Sequence, residues 1–563
     1  MFTRPGWLAG LGLLLALTGC TTSYYRKAAD EAAYKAIKGK TPLVPDMDPR
    51  FTIEQTNTLS LDGLSVASEA PKFLGLDGEQ EKGAHLLNLE QALELAVKYN
   101  RSYQSRKEQL YLSGLALTLA RHQFEPLFSG EANVNYEVQT IQESTLDAIT
   151  GLPVVSDNLA EQAKVTAGGT IGASWLIRDV GRITAAVTAD AIRFVTGDPR
   201  LTTSSQLSAT FFRPLLRDAG FKAQSEALIQ AERQLLYDLR DFTLYRKEFS
   251  VQIATAYYGV LGLRDAARNN FLTLQSSRKN ADRTRAMVQE GRITTADLGR
   301  LEQQELSAES SWINTVRGYK QALDTFKIQL GISVDAQIVL NEDDLRALQI
   351  RHPDISVEDS IQVALTARLD YLNTKDQFED TVRKVDLAAN FLKPSLDLTA
   401  SISPYSNPND NFSLPEFERY RWNAGLNFDP GLERQAERNA YRSSLINRNR
   451  AARAIVQQED EIKLAVRNSW RTLDQAKRNY EISEIGVKLA ERRVEEQNLR
   501  ADLGRANALD QVDTQNALNE SQNQRVQALV THTIARLQFW NNLGILYIKE
   551  NGQWEDPKHA KAQ

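Results

Sequence analysis

The sequence predicts a mostly α-helical protein that carries a membrane β-barrel, built as a tandem repeat of helix, β-hairpin, long helix and shorter helix. Three observations predict it. Landmarks in the first half of the chain recur, in order, in the second half. Short segments beside them alternate apolar and polar residues with a period of two. Long proline-free stretches carry apolar residues seven apart.

Residues 1–19 read as a secretory signal: Arg4 precedes the apolar run Leu8–Leu17, and Leu17-Thr18-Gly19-Cys20 follows. Cys20 is the only cysteine of the 563 residues, so no disulfide supports the fold. A cut before Cys20 leaves that thiol at the mature N-terminus. The segment resembles the bacterial lipoprotein signal, in which the thiol takes a diacylglyceryl group. Acyl chains contribute about 0.8 kcal/mol per buried CH₂, enough in combination to hold a protein to a bilayer. Thr21 rather than Asp follows the cysteine, which in the enterobacterial sorting pattern points to the outer membrane. Residues 20–86 are then a lipidated N-terminal extension.

The repeats occupy residues 87–350 and 351–546, with a tail at 547–563. Leu89-Glu90-Gln91-Ala92-Leu93 opens a helical pattern that ends near Phe124-Glu125-Pro126, and Val357-Glu358-Asp359-Ser360-Ile361 opens one that ends near Leu392-Lys393-Pro394. Both pairs of landmarks are displaced by the same distance, 357 − 89 and 394 − 126. Pro214 pairs with Pro430, Gly291 with Gly504, and Leu330-Gly331 with Leu543-Gly544. The smaller displacement of these later pairs places about fifty extra residues in the first half, between Tyr136 and Leu207.

Four segments alternate. Phe128, Gly130, Ala132, Val134, Tyr136 and Val138 are interleaved with Ser129, Glu131, Asn133, Asn135 and Glu137; Leu207, Ala209 and Phe211 with Ser208 and Thr210. Leu396, Leu398, Ala400 and Ile402 are interleaved with Asp397, Thr399, Ser401 and Ser403; Tyr420, Trp422, Ala424, Leu426 and Phe428 with Arg421, Asn423, Gly425, Asn427 and Asp429. Such strands have one apolar and one polar face. Hairpins isolated between long helices are too few for a soluble sandwich, whereas a barrel shared between subunits satisfies both edges and the apolar face. The extra segment reads as a further hairpin: Val165 to Trp175 and Ile183 to Ala189 alternate about a turn at Asp179-Val180-Gly181-Arg182. We expect this hairpin to project outside the cell rather than to join the barrel.

The long helices carry Leu228, Leu235, Phe242 and Phe249 in the first half and Val466, Leu473, Tyr480, Val487 and Val494 in the second, each seven apart. Sustained heptads argue for coiled-coil packing. No proline falls between about Leu216 and Gln289, and a helix of that extent measures on the order of 100 Å at ~1.5 Å per residue. After the N-terminus no apolar run reaches the ~20 residues of a spanning helix, so a membrane role requires a β-barrel.

Composition and motifs argue against an enzyme or a nucleic-acid binder. The net charge is −5, which gives no electrostatic footprint for nucleic acid. The five histidines, His85, His122, His352, His532 and His559, lack the helical spacing of a metal pair and have no cysteine partner, so no metal or cofactor is expected. Gly168-Gly169 lacks the following Lys-Ser/Thr of a phosphate loop. Glu459-Asp460-Glu461 and Glu495-Glu496 lie on long helices, where charged runs form a solvated face.

Two tandem copies of helix, hairpin, long helix and glycine-turn helix resemble the TolC-like outer-membrane efflux proteins, over roughly Leu87 to Leu546. The resemblance is carried by Gly291-Arg-Ile-Thr-Thr-Ala-Asp297-Leu298 and Gly504-Arg-Ala-Asn-Ala-Leu-Asp510-Gln-Val512. Phe326-Lys-Ile-Gln-Leu-Gly331 and Phe539-Trp-Asn-Asn-Leu-Gly544 add to it. The segment Tyr24 to about Ser60, with Pro42, Pro45 and Pro49, resembles the extension of lipoprotein members, which wraps the outside of the tube.

The resemblance implies a homotrimer with a barrel of twelve strands or more in the outer membrane and a periplasmic tunnel of helices. It implies passive export of substrate from an inner-membrane pump through a periplasmic adaptor. It implies that the turns at Gly291, Arg292 and Asp297 and at Gly504 and Arg505 dock the adaptor. It also places Asp510 and Asp513 at the narrow entrance, where three copies would set six carboxylates around the axis. Where family members tie neighbouring helices with a Tyr and an Arg, this chain has Ala501 and Ala506, with Arg292 and Arg505 nearby. Other readings are the duct of a type I protein-secretion system, a periplasmic coiled-coil adaptor or scaffold, and a lipoprotein hydrolase. Duplicated hairpins disfavour the adaptor, and the missing nucleophile–base pair disfavours the hydrolase.

Overall fold

The computed structural model describes residues 21–54, 61, 63–146, 153–196, 201–291, 294–407, 414–503 and 508–555. The signal segment and Cys20 lie outside the described residues. The chain divides into two compact units. One comprises Met1–Ala36, Ser113–Leu235 and Gln377–Ala452; the other comprises Ile37–Leu112, Leu236–Asp376 and Arg453–Gln563.

The elements follow the predicted duplication. After α1 (Thr22–Lys40) and β1 (His85–Leu87), the first repeat runs α2 (Leu89–Tyr99), α3 (Arg101–His122), β2 (Leu127–Leu146), β3 (Pro153–Ile177), β4 (Gly181–Phe194), β5 (Leu201–Pro214), α4 (Phe221–Gln289) and α5 (Thr295–Leu330). A connection holds β6 (Ile338–Leu340) and α6 (Asp343–Arg346). The second repeat runs α7 (Val357–Ala367), α8 (Leu369–Phe391), β7 (Ser395–Tyr405), β8 (Glu416–Asp429), α9 (Gln435–Asp502) and α10 (Ala508–Asn542), followed by β9 (Tyr547–Ile548) and β10 (Trp554–Glu555). α4 starts at Phe221, later than Leu216, because Asp218 and Gly220 hold positive φ and end the preceding turn.

Matching caps start the matching helices. Asn88 caps α2 by accepting from the Gln91 N–H, and Gln91 returns the bond to the Asn88 N–H. Ser356 caps α7 by accepting from the Asp359 N–H. Both final helices end on a left-handed glycine, Gly331 (φ 82) and Gly544 (φ 79). In each case the next residue reaches back five positions, Ile332 to Lys327 and Ile545 to Trp540, which satisfies otherwise open carbonyls.

In the first unit the strands form one six-stranded antiparallel sheet in the order β2-β3-β4-β5-β7-β8. This corrects the expectation for the extra hairpin. β3 and β4 do not project from the sheet; they lie between β2 and β5 and are paired along both sides. The stretch that runs past its neighbours is the far part of β2 and β3, where residues 153–162 have ladder partners on β2 alone among the described residues. Alternation alone could not decide this, since a projecting hairpin and an inserted one have the same period.

In the second unit most heptad residues are core, although Tyr480 and Val494 are only half-buried. Phe242, Phe249, Val466, Leu473 and Val487 are buried. Val466 and Leu473 of α9 pack with Ile361, Ala364, Tyr371, Phe539 and Leu543 of the second repeat. The described part of the N-terminal extension in this unit packs on α4 and α5. Phe51 meets Phe242 edge-on at 5.7 Å, Lys247 pairs with Asp46 at 2.9 Å, and the Trp312 indole donates to the Phe73 carbonyl at 2.7 Å. β1 then joins β6 in a short parallel pair.

Candidate channel wall and entrance

The register of the six strands places every apolar alternating position on one face. Opposite Phe128, Val134 and Tyr136 of β2 stand Ala173, Ala167 and Val165 of β3. Ile171 of β3 stands opposite Val187 of β4, which stands opposite Leu207 of β5. Ala209 of β5 meets Ile402 of β7, and Ile402 meets Trp422 of β8. The other face carries Glu131, Asn133, Thr170, Thr188, Thr210, Ser401 and Asn423. Thr170 and Thr188 bond across it at 3.1 Å, as do Ser401 and Asn423 at 3.0 Å.

The apolar face is uncovered among the described residues. Phe128 is 82% exposed, Ile171 73% and Trp422 67%. Monomeric soluble proteins do not leave so continuous an apolar face open. From Phe128 to Val138 the apolar stripe of β2 runs about 34 Å at ~3.4 Å per residue, or about 26 Å in height at a ~40° tilt, which matches a membrane barrel's apolar band. The two edges are also open: β2 pairs with β3 alone and β8 with β7 alone among the described residues.

The predicted entrance and docking residues are placed in part. Gly291 follows α4 with φ 68, a left-handed position that an L side chain resists. Thr294 caps α5: its hydroxyl accepts from the Asp297 N–H at 3.2 Å and donates to the Asp297 carboxylate at 2.7 Å. Asp297 therefore has a local role at the helix start, where its charge also complements the helix dipole. Glu302 pairs with Arg285 at 3.1 Å. Asp510 and Asp513 both lie exposed on the first two turns of α10, and three-residue spacing puts them on one face. Arg292, Gly504, Arg505 and Ala506 lie outside the described residues.

Sequence reasoning missed what holds α10 in place. Gln515, Asn519 and Asn523, four apart on one face, meet Ser276 at 3.3 Å, Asn270 at 2.7 Å and Asn269 at 2.8 Å on α4. Asn516 accepts from Gln304 of α5 at 2.8 Å. The i, i+4, i+8 amides were the available signal. These bonds join the helix that bears Asp510 and Asp513 to both helices of the first repeat's final pair.

Two more clusters bring together residues distant in sequence. The buried Arg264 guanidinium pairs with Glu81 at 2.6 Å and Glu342 at 2.7 Å, bonds Tyr319 at 2.8 Å and lies over the Phe73 ring. Arg268 pairs with the same Glu342, and the two cations hold the Glu342 carboxyl below its ordinary range despite its burial. His352 and His532 meet at 6.3 Å. Burial first, then the charge of Arg536, pushes His532 down to about 4. Among the described residues no three His, Cys, Asp or Glu side chains cluster as a metal site, and no helix is long and apolar enough to cross a membrane.

No family model matches this sequence, and no curated protein does. Solved structures match by fold. The chain is similar to the CmeC outer membrane channel of Campylobacter jejuni at a TM-score of 0.57 and 13% identity, over 92% of this chain and 97% of that one. It is similar to the outer-membrane channel OprN at 0.58 and 11% identity, over 88% and 100%. It is also similar to the Vibrio cholerae outer membrane protein VceC at 0.56 and 14% identity, over 81% and 96%. At such identities the likeness is one of fold, and the fold of this chain is that of the TolC-like outer-membrane channels.

Proposed function

We propose that this chain is the outer-membrane exit duct of a tripartite export system, and that it acts by conduction rather than by bond-making chemistry. The observation that carries the proposal is the sheet. Six strands present one continuous apolar face and one polar face, with an open edge on either side. Three copies that close edge to edge put the apolar face in lipid and the polar face around water.

In this reading residues 1–19 are removed and Cys20 carries the lipid that holds the extension to the outer membrane. The turns at Gly291, Arg292 and Asp297 and at Gly504 and Arg505 receive a periplasmic adaptor, which joins the duct to an inner-membrane pump. Asp510 and Asp513, repeated about the threefold axis, form an acidic entrance that attracts cations.

Membrane extraction tests the reading. The protein should stay with outer membranes through a urea wash, leave them only in detergent, and run as a trimer there. Recovery as a water-soluble monomer without detergent would contradict it. Bulky substitutions at Arg292 or Arg505 should abolish cross-linking to the adaptor while leaving the trimer intact; unchanged cross-linking counts against docking at those turns.

A further inference from the structure

We infer that the membrane wall of this protein is closed by eighteen strands, six from each of three copies, so that the additional hairpin of the first repeat is a structural part of the barrel. The inference rests on the exit-duct reading above and departs from the twelve strands that two hairpins per chain imply.

The hairpin is built into the sheet on both sides from Lys164 to Ser174 of β3 and from Arg182 to Arg193 of β4. β3 pairs with β2 from Leu127 outward, and β4 pairs with β5 from Phe212 outward. For the hairpin to lie elsewhere, both ladders would have to break and β2 and β5 find each other. The apolar residues of the hairpin, Val165, Ile171, Trp175, Ile183 and Val187, share the face of Phe128, Leu207 and Trp422. In water that face would be uncovered; in the wall it meets lipid.

Its turn is fixed as well. The Trp175 indole donates to the Phe124 carbonyl at 3.1 Å, and Arg178 lies over the Phe124 ring at 5.3 Å. Gly181, at φ 134, sits so close to the Phe212 carbonyl that no Cβ fits. These contacts hold the turn at the end of the sheet where β2 begins and β5 ends, so the hairpin cannot swing away as a unit.

Strand direction permits closure. Six strands alternate in direction, so β8 of one copy runs antiparallel to β2 of the next, as an up-and-down barrel requires. With strands ~4.8 Å apart and tilted ~40°, eighteen give a backbone diameter of about 36 Å, against about 24 Å for twelve. Side chains reaching ~5 Å inward leave openings of about 26 Å and 14 Å, roughly a threefold difference in cross-section. Eighteen strands belong to the size class that leaves an aqueous channel.

Electron cryo-microscopy of the full chain in lipid nanodiscs tests this. The expected result is three copies with eighteen strands in one wall and β2 beside the β8 of a neighbouring copy. Twelve strands with residues 163–196 outside the wall would overturn the inference and leave the exit-duct reading intact; a soluble monomer would remove that reading instead. A second measurement uses a fluorescent label at Val187→Cys or Thr188→Cys, each in a Cys20→Ser background. A lipid-borne quencher should quench the label at position 187 several-fold more than the one at 188. Equal quenching at the two positions overturns the inference.

Discussion

Replacing Gly331 with alanine tests how the last helix of a repeat packs on the first two, and the structure sets its magnitude. Gly331 ends α5 at φ 82, and a Cβ there would fall inside the Tyr99 carbonyl and 2.7 Å from the Asn100 nitrogen. Those atoms belong to the backbone junction of α2 and α3, so no side-chain rotation relieves the clash. Left-handed strain costs about 1–2 kcal/mol and overpacking about 1–3 kcal/mol, for a total of roughly 2–5 kcal/mol. The second repeat supplies an internal comparison. Gly544 has φ 79 and packs on the corresponding junction, but its Cβ would stand 3.1 Å from Ala367 and 3.2 Å from Arg368. There the strain remains and the clash is milder, about 1–3 kcal/mol in all. Gly318, inside α5 with open space at its Cβ, should gain up to about 1 kcal/mol as alanine. Denaturant unfolding in detergent, followed by helical circular dichroism, should rank Gly331→Ala least stable, then Gly544→Ala, then the unaltered protein, then Gly318→Ala. An unchanged midpoint for Gly331→Ala, or the reverse order of the two terminal glycines, refutes the packing argument.

Four further outcomes are expected. His532 has a folded pKa of about 4, below its ordinary value, so the neutral ring contributes stability above pH ~6.5 that is lost as pH falls toward 4; His532→Phe should flatten that fall in a pH series of unfolding midpoints. Arg264→Met leaves Glu81 buried without its cation, while Glu342 keeps Arg268, and should cost about 3–5 kcal/mol; adding Glu81→Gln should recover part of it, and no recovery would place the loss in packing. Asp510→Asn with Asp513→Asn should weaken cation preference and abolish block by trivalent cations in single-channel recordings, and survival of both properties moves the acidic ring elsewhere. Mass spectrometry of the mature N-terminus should find lipid on Cys20; an unmodified cysteine with a free amine rejects the anchor.

The repeat was legible because it is written in residues whose roles are local. Asn88 and Ser356 start equivalent helices and Gly331 and Gly544 end them, and each carries its own conformational reason. The faces of the strands were legible for the same reason, since a period of two needs no knowledge of partners. The placement of β3 and β4 was not legible, because pairing is set by ladders to strands on either side and by the contacts of Trp175 and Gly181. The site was read less fully than the fold. Glu81 and Arg264 lie 183 residues apart, and no spacing rule joins them. Asp297 drew notice as part of a docking turn, whereas its visible bonds are those of a helix cap to Thr294. The amides at 515, 519 and 523 were in plain sequence view, but polar residues on a long helix ordinarily face solvent, and only their partners on α4 distinguish these.

Electrical recording tests the central claim most directly. The purified full chain, in planar lipid bilayers with salt on both sides, should produce discrete current steps of uniform size, with cations preferred. A protein that inserts, resists a urea wash and yet gives no steps would contradict the account of this sheet as the wall of a channel.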